Sequence, residues 1–199
     1  MSSEIEISHS VLRWLLCSEE YLKNSCSLYF SNKNNGKSIV TRPTVLLFGY
    51  FFEDLLKSSI LLIENQTGIS KKLHLKKELF IKSGKTEFTN QEEDIIEFLN
   101  NVIVWGKYPE KEKGDMGNLI RTSALSISQN ETTVFCNPSI FLDLVNFAIE
   151  ELGRISQIFQ NSPIFSIEFK YTLERIKVQL LKIQENLMNL NTVINHETT

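Results

Sequence analysis

Apolar residues recur at helical steps along most of this chain. Val11, Leu15, Leu22, Cys26 and Tyr29 share one face of a segment that predicts a helix over residues 4–30. Ser3 and Glu6 have the spacing of a capping box at its start. The run NKNNGK (32–37) stops it, because Asn and Gly tolerate turn geometry. A second helix is predicted from Pro43, a residue suited to a first helical turn, to Ile63. Apolar side chains lie nearly all around it, which marks the central helix of a bundle. The segment ENQTG (64–68) signals its end.

Residues 70–82 predict a short, Lys-rich third helix. Thr89 and Glu92 form another capping-box pair, followed by a fourth helix to Val104 through Ile95, Ile96, Leu99 and Val102. Pro109 closes that region. Residues 106–137 are rich in Gly, Ser and Thr and have little periodicity. They predict a long loop, with a short strand or hairpin around 119–126 and 132–136. Asn137 caps and Pro138 opens a fifth helix over 138–160. Glu151 is the exception on its apolar face.

The last helix, 165–194, carries Phe169, Leu173, Ile176, Leu180, Ile183, Leu187, Leu190 and Ile194 in alternating steps of four and three. This heptad seam suits either a coiled coil between subunits or packing inside one bundle. Val178, Leu181 and Met188 widen the apolar face, which favours bundle packing. The fold class expected is all-α, a bundle of five to six helices in one domain over residues 1–199, with a long loop around 106–137.

Composition narrows the function classes. The 199 residues hold 21 Lys and Arg against 24 Asp and Glu, a net charge of −3. That balance argues against a surface built wholly for nucleic acid. The N-terminus lacks a basic region followed by an apolar stretch, so no signal peptide is expected and a cytoplasmic location follows. The apolar second helix holds Glu53, Asp54 and Lys57 at its centre. In a membrane these would cost roughly 8–10 kcal/mol, against about 4–7 kcal/mol returned by its Val, Leu, Ile and Phe residues. The charges win, and no membrane partner is expected. Cys17, Cys26 and Cys136 are odd in number and lack metal-site spacing, so reduced, mostly buried thiols are expected.

Candidate chemistry is sparse. His9, His74 and His196 have no ligand spacing, and no phosphate loop or nucleophile elbow is present, so no metal or cofactor is expected. Glu53 and Lys57, four apart, are set for a helical ion pair that can shape a ligand site or lock packing. The stretch SKKLHLKKELFIKSGK (70–85) offers Lys71, Lys72, Lys76 and Lys77 for phosphate contact. The competing reading is a solvated face neutralised by Glu92, Glu93 and Asp94.

The segment LLFGYFFEDLLKSSILL (46–62) resembles an apolar helix carrying a Glu and, four residues on, a Lys in HEPN-like helical proteins of bacteria. A short element with His74 and Leu75 follows, then a helix ending in Trp105-Gly106-Lys107-Tyr108-Pro109, similar to a Trp-Gly-Arg-Tyr-Pro motif. Order and spacing agree over residues 40–110. Lys107 stands where that motif has Arg, and Lys lacks the planar two-pronged contact. The ribonuclease members pair an Arg with a His a few residues later, and no Arg here is followed so. The resemblance implies a helical, often dimeric, non-catalytic binding or adaptor module of the kind found in bacterial defence or toxin–antitoxin systems. Its ligand or polar site would involve Glu53, Lys57, His74, Trp105, Lys107 and Tyr108, and its partner would be another protein or a second copy. A divergent RNA- or nucleotide-acting enzyme using His74, and a structural oligomer held by the last helix, are the alternatives.

Overall fold

The structure, a computed structural model, describes residues 2–34, 37–69, 74–107 and 138–197, and the side chains of 4–32, 38–69, 74–104 and 138–190. In chain order these residues form α1 (Ser2–Ser31), β1 (Lys33–Asn34), β2 (Lys37–Ser38), α2 (Arg42–Glu64), α3 (Lys77–Lys82), α4 (Asn90–Lys107), α5 (Pro138–Gln160) and α6 (Ile167–Glu197). The all-α bundle expected from periodicity is what the chain forms. The two strands are a minimal antiparallel pair, Lys33 opposite Ser38 and Asn34 opposite Lys37, between the first two helices.

Side-chain pairs fix the helix directions. Ser18 and Ser25 of α1 donate to the carbonyls of Phe51 and Thr44, so α1 and α2 are antiparallel. Phe48 and Phe52 of α2 meet Phe141 and Phe147 of α5 in rising order, so α2 and α5 are parallel. Phe159 meets Phe169, and Gln184 donates to Asn146, so α5 and α6 are antiparallel. Tyr29 bonds Asn186 while Glu19 pairs with Arg175, so α6 and α1 are parallel. These four helices close a ring. α4 packs outside it on α2, where Gly49 leaves room for Ile103: a Cβ there would stand 3.0 Å from Ile103 Cγ1.

One hydrophobic cluster draws on all six helices. α2 is its centre, buried from Phe51 to Leu62 without interruption. Phe48, Phe51, Phe52, Phe80, Phe141 and Phe147 make tilted, edge and, between Phe52 and Phe147, stacked contacts there with centroids 5.3–6.2 Å apart. Such geometry suits the ring quadrupole and adds to area burial. No helix among the described residues is long and apolar enough to cross a membrane.

Local signals explain most boundaries. Thr89 and Glu92 bond reciprocally, backbone to side chain, at 2.7 and 3.2 Å, completing the expected capping box. Pro43 lies in the first turn of α2, and Asn65 ends that helix in the left-handed region at φ 53°. Several expectations are corrected. Ser3 lies inside α1, which begins at Ser2, so it is no cap. The third helix starts at Lys77 because Lys76 is extended (φ −135°, ψ 167°) and Leu75 already enters the core. α4 continues through Lys107, and α6 runs from Ile167, after Ser166 accepts from the Phe169 N–H, to Glu197. The loop expected over 106–137 begins later, since 106 and 107 belong to α4, and the rest of it with its expected hairpin lies outside the described residues.

The heptad seam of α6 faces its own bundle. Phe169, Leu173, Ile176, Leu180, Ile183 and Leu187 are all buried, whereas Val178, Leu181 and Met188, expected to widen that face, are exposed on the opposite side of the helix. The inter-subunit use of that seam is therefore replaced by packing on α1 and α5.

Candidate functional site

Two buried charge clusters stand out, both reaching into α2 or α5, the helices at the heart of the ring. In the first, Lys57 Nζ donates to Glu53 Oε1 at 2.5 Å, and both residues are 6% exposed. The four-residue step places them on one column of α2. Lys57 also stands 4.7 Å over the Trp14 ring of α1. Beside them Tyr21 of α1 and Tyr50 of α2 pack their rings 5.3 Å apart. Burial, then the Asp54 carboxylate and further negative groups including Glu53, raises the Tyr21 hydroxyl above its usual range. Burial, then Tyr21 and Glu53, does the same for Tyr50. Glu53 Oε2 is buried and has no hydrogen-bond partner.

The second cluster fastens the α3–α4 connection to α5. Glu151 is 2% exposed and accepts from Lys85 Nζ on one oxygen at 2.8 Å and from Arg154 on the other at 2.7 and 3.0 Å. Lys85 donates also to Glu92 at 2.7 Å. Arg154 reaches the Ser83 carbonyl and hydroxyl at 2.6 and 2.9 Å. Gly84, between Ser83 and Lys85, adopts φ 89°, which a side chain would strain. Burial pulls the Lys85 ammonium down, but its bonds to Glu151 and Glu92 outweigh that and hold it above its usual range. Burial pushes Glu92 up, and Lys85 with Thr89 more than reverses it, leaving the carboxyl below its usual range.

The other sequence-derived site residues are scattered. His74 is exposed, three residues before α3. Lys76 is exposed at the head of α3, and exposed Lys77 pairs with Glu93 and lies over the Phe88 ring. Lys82 pairs with Glu78 at 3.6 Å. Of the described lysines here, Lys77 and Lys82 are thus paired with local carboxylates. Lys71, Lys72 and Tyr108 lie outside the described residues; Trp105 and Lys107 are placed only by backbone, in the last turn of α4.

Cys17 is exposed, contrary to expectation, yet burial of its sulfur and the Asp54 charge raise its thiol pKa. Burial pushes the Cys26 thiol up to about 12. Neither is a ready thiolate at neutral pH. Among the described residues, no group of three His, Cys, Asp or Glu side chains is placed to hold a metal.

Sequence reasoning found Glu53 and Lys57 but missed Trp14, Tyr21 and Tyr50 around them. It noticed Glu151 only as an anomaly. Arg154, three residues on, was the signal that a partner stood on the same face. The chain matches no family model, no curated protein and no solved structure.

Proposed function

We propose that this chain is a non-catalytic, HEPN-like helical binding module that docks a protein partner on the outer face of α6. One observation carries the reading. Ile167, Tyr171, Val178, Leu181 and Met188 are 42–64% exposed and follow steps that sum to a heptad, opposite the buried seam. Rows of exposed apolar side chains mark contact surfaces more often than chance exposure does. Glu174 and Glu185 interrupt the row. Lys170 and Lys177 line one edge, Arg175 and Lys182 the other, all exposed.

The partner that fits is an amphipathic helix with acidic edges, its apolar anchors meeting the stripe and its carboxylates meeting Lys170, Lys177 and Lys182, since Arg175 is already held by Glu19. A second copy fits less well. Antiparallel self-pairing centred on Val178 and Leu181 would oppose Arg175 of one chain to Lys182 of the other. The resemblance of residues 40–110 to HEPN-like proteins, and the missing Arg…His pair, support binding over catalysis.

The test is capture of partners from the native host by the full-length chain, beside a Val178→Glu/Leu181→Glu variant of unchanged helicity. A stoichiometric protein held by the wild type and lost by the variant is the expected result. A partner held equally by both, or none at micromolar protein, contradicts it. Self-association of the purified chain that the variant abolishes would assign the stripe to a second copy instead.

A further inference from the structure

Residues 74–88, α3 with its flanks, lie outside the four-helix ring. The ring closes without them, because α1, α2, α5 and α6 meet in turn through their own side chains. Within the stretch Leu75, Leu79, Phe80 and Ser83 are buried, and most of the rest is exposed. Phe80 reaches furthest in. Its ring packs on Phe52 of α2 and Phe147 of α5, with centroids 6.2 and 5.6 Å away.

α3 has 6 residues, far fewer than a helix needs to be stable by itself in water. Its C-terminal end is completed by another helix. Arg154 of α5 donates to the carbonyl and hydroxyl of Ser83, the C-cap residue, and sets a cation at the negative end of α3. Glu151 holds Arg154 with one oxygen and Lys85 with the other. Gly84, between the two held residues, makes the turn at φ 89°. The remaining ion pairs, Lys82–Glu78, Lys77–Glu93 and Lys85–Glu92, tie the stretch to itself or to α4 and not to the ring. Its downstream end is hinged at the Thr89–Glu92 capping box, which belongs to α4.

We infer that residues 74–88 are a strap that opens as a unit while the four-helix ring stays folded, with Phe80 as its wedge and Glu151 and Arg154 as its latch. Low-energy openings belong to segments with few buried side chains and little helix of their own. Opening withdraws Phe80 and uncovers the faces of Phe52 and Phe147, so a closed part of the core becomes an apolar surface on α2 and α5. The latch residues stand on α5, within the ring, and their grip sets how often that surface appears. The strap is independent of the α6 stripe.

The experiment is native-state hydrogen exchange of the full chain, read residue by residue by NMR. The amides of Ser83 and Lys85, bonded to the carbonyls of Leu79 and Phe80, report the strap, and the slowest amides of α1 and α6 report the ring. In the wild type the strap amides should be the less protected by at least tenfold. Two substitutions separate strap opening from global unfolding. Ile183→Val, in the buried seam of α6, should speed the ring amides about two- to tenfold and leave the strap amides unchanged, because the strap opens without breaking the seam. Glu151→Gln should speed the strap amides about tenfold or more, the worth of one charged hydrogen bond. Should that variant fail to fold, Gly84→Ala strains the turn at its positive φ and should speed the same amides roughly five- to thirtyfold. Strap amides as protected as the ring's, strap amides sped by Ile183→Val as much as the ring's, or strap amides indifferent to the latch and turn substitutions would overturn the inference.

Discussion

Glu53 and Glu151 are both buried carboxylates on central helices, but they are satisfied to different degrees. Glu151 has both oxygens bonded, to Lys85 and to Arg154, and those cations are themselves tied to Glu92 and Ser83. Glu53 has one oxygen bonded and one orphaned. A closed network in a low-dielectric interior holds segments in register, whereas a half-satisfied one leaves an electrostatic debt. The first therefore reads as a clasp that pins the α3–α4 connection onto α5, and the second as an ion pair with one acceptor unmet.

Breaking the clasp should have the largest effect. Glu151→Leu leaves Lys85 with Glu92 alone and Arg154 with Ser83 alone beside the core, and should cost about 3–5 kcal/mol in urea unfolding. Glu53→Leu strands Lys57 and should cost a similar amount, but adding Lys57→Met should recover most of it, because an isolated buried pair is often replaceable by apolar residues at no net loss. No such rescue is expected when Lys85→Met is added to Glu151→Leu, since Arg154 stays unpaired. Recovery in both double variants would mean the two clusters are equivalent.

The clasp should also be pH-sensitive. Glu92 titrates lower when folded, so its contribution is present above its unfolded value near 4.5 and fades as pH falls through the depressed folded value. Lys85 titrates higher when folded, so its contribution holds below 10.5 and fades as pH rises through the raised folded value. The stability plateau should lie between these limits, and Glu92→Gln should flatten the acid side in pH-dependent thermal melts.

Smaller effects come from the surface. Thr89→Ala removes half of the capping box on α4 and should cost about 1 kcal/mol. Arg175→Ala deletes an exposed bidentate pair with Glu19 and should cost about 0.2–1 kcal/mol, less in high salt. A cost above 2 kcal/mol for the latter would make the α1–α6 pairing more electrostatic than its buried seam implies.

The same contrast explains what could be read from sequence. α2, α5 and the α6 seam were legible because burial along a helix writes its own period into the chain. The Thr89–Glu92 box was legible because its partners are three residues apart. The start of α3 was not, because Leu75 is buried in the core and Lys76 is extended, which no periodicity in that stretch announces. Nor was the clasp, whose key partners, Lys85 and Glu151, are 66 positions apart. At the Glu53 site the i, i+4 pair was visible, while Trp14 and Tyr21 arrive only when α1 folds back along α2.

The most direct test sets Glu151→Gln beside Glu53→Gln in matched urea unfolding, since each keeps the side-chain shape and removes the charge. Glu151→Gln should be the more costly by about 2 kcal/mol, because it weakens bonds to two cations rather than one. Equal costs, or a larger one at Glu53, would contradict the distinction between a closed clasp and a half-satisfied pair.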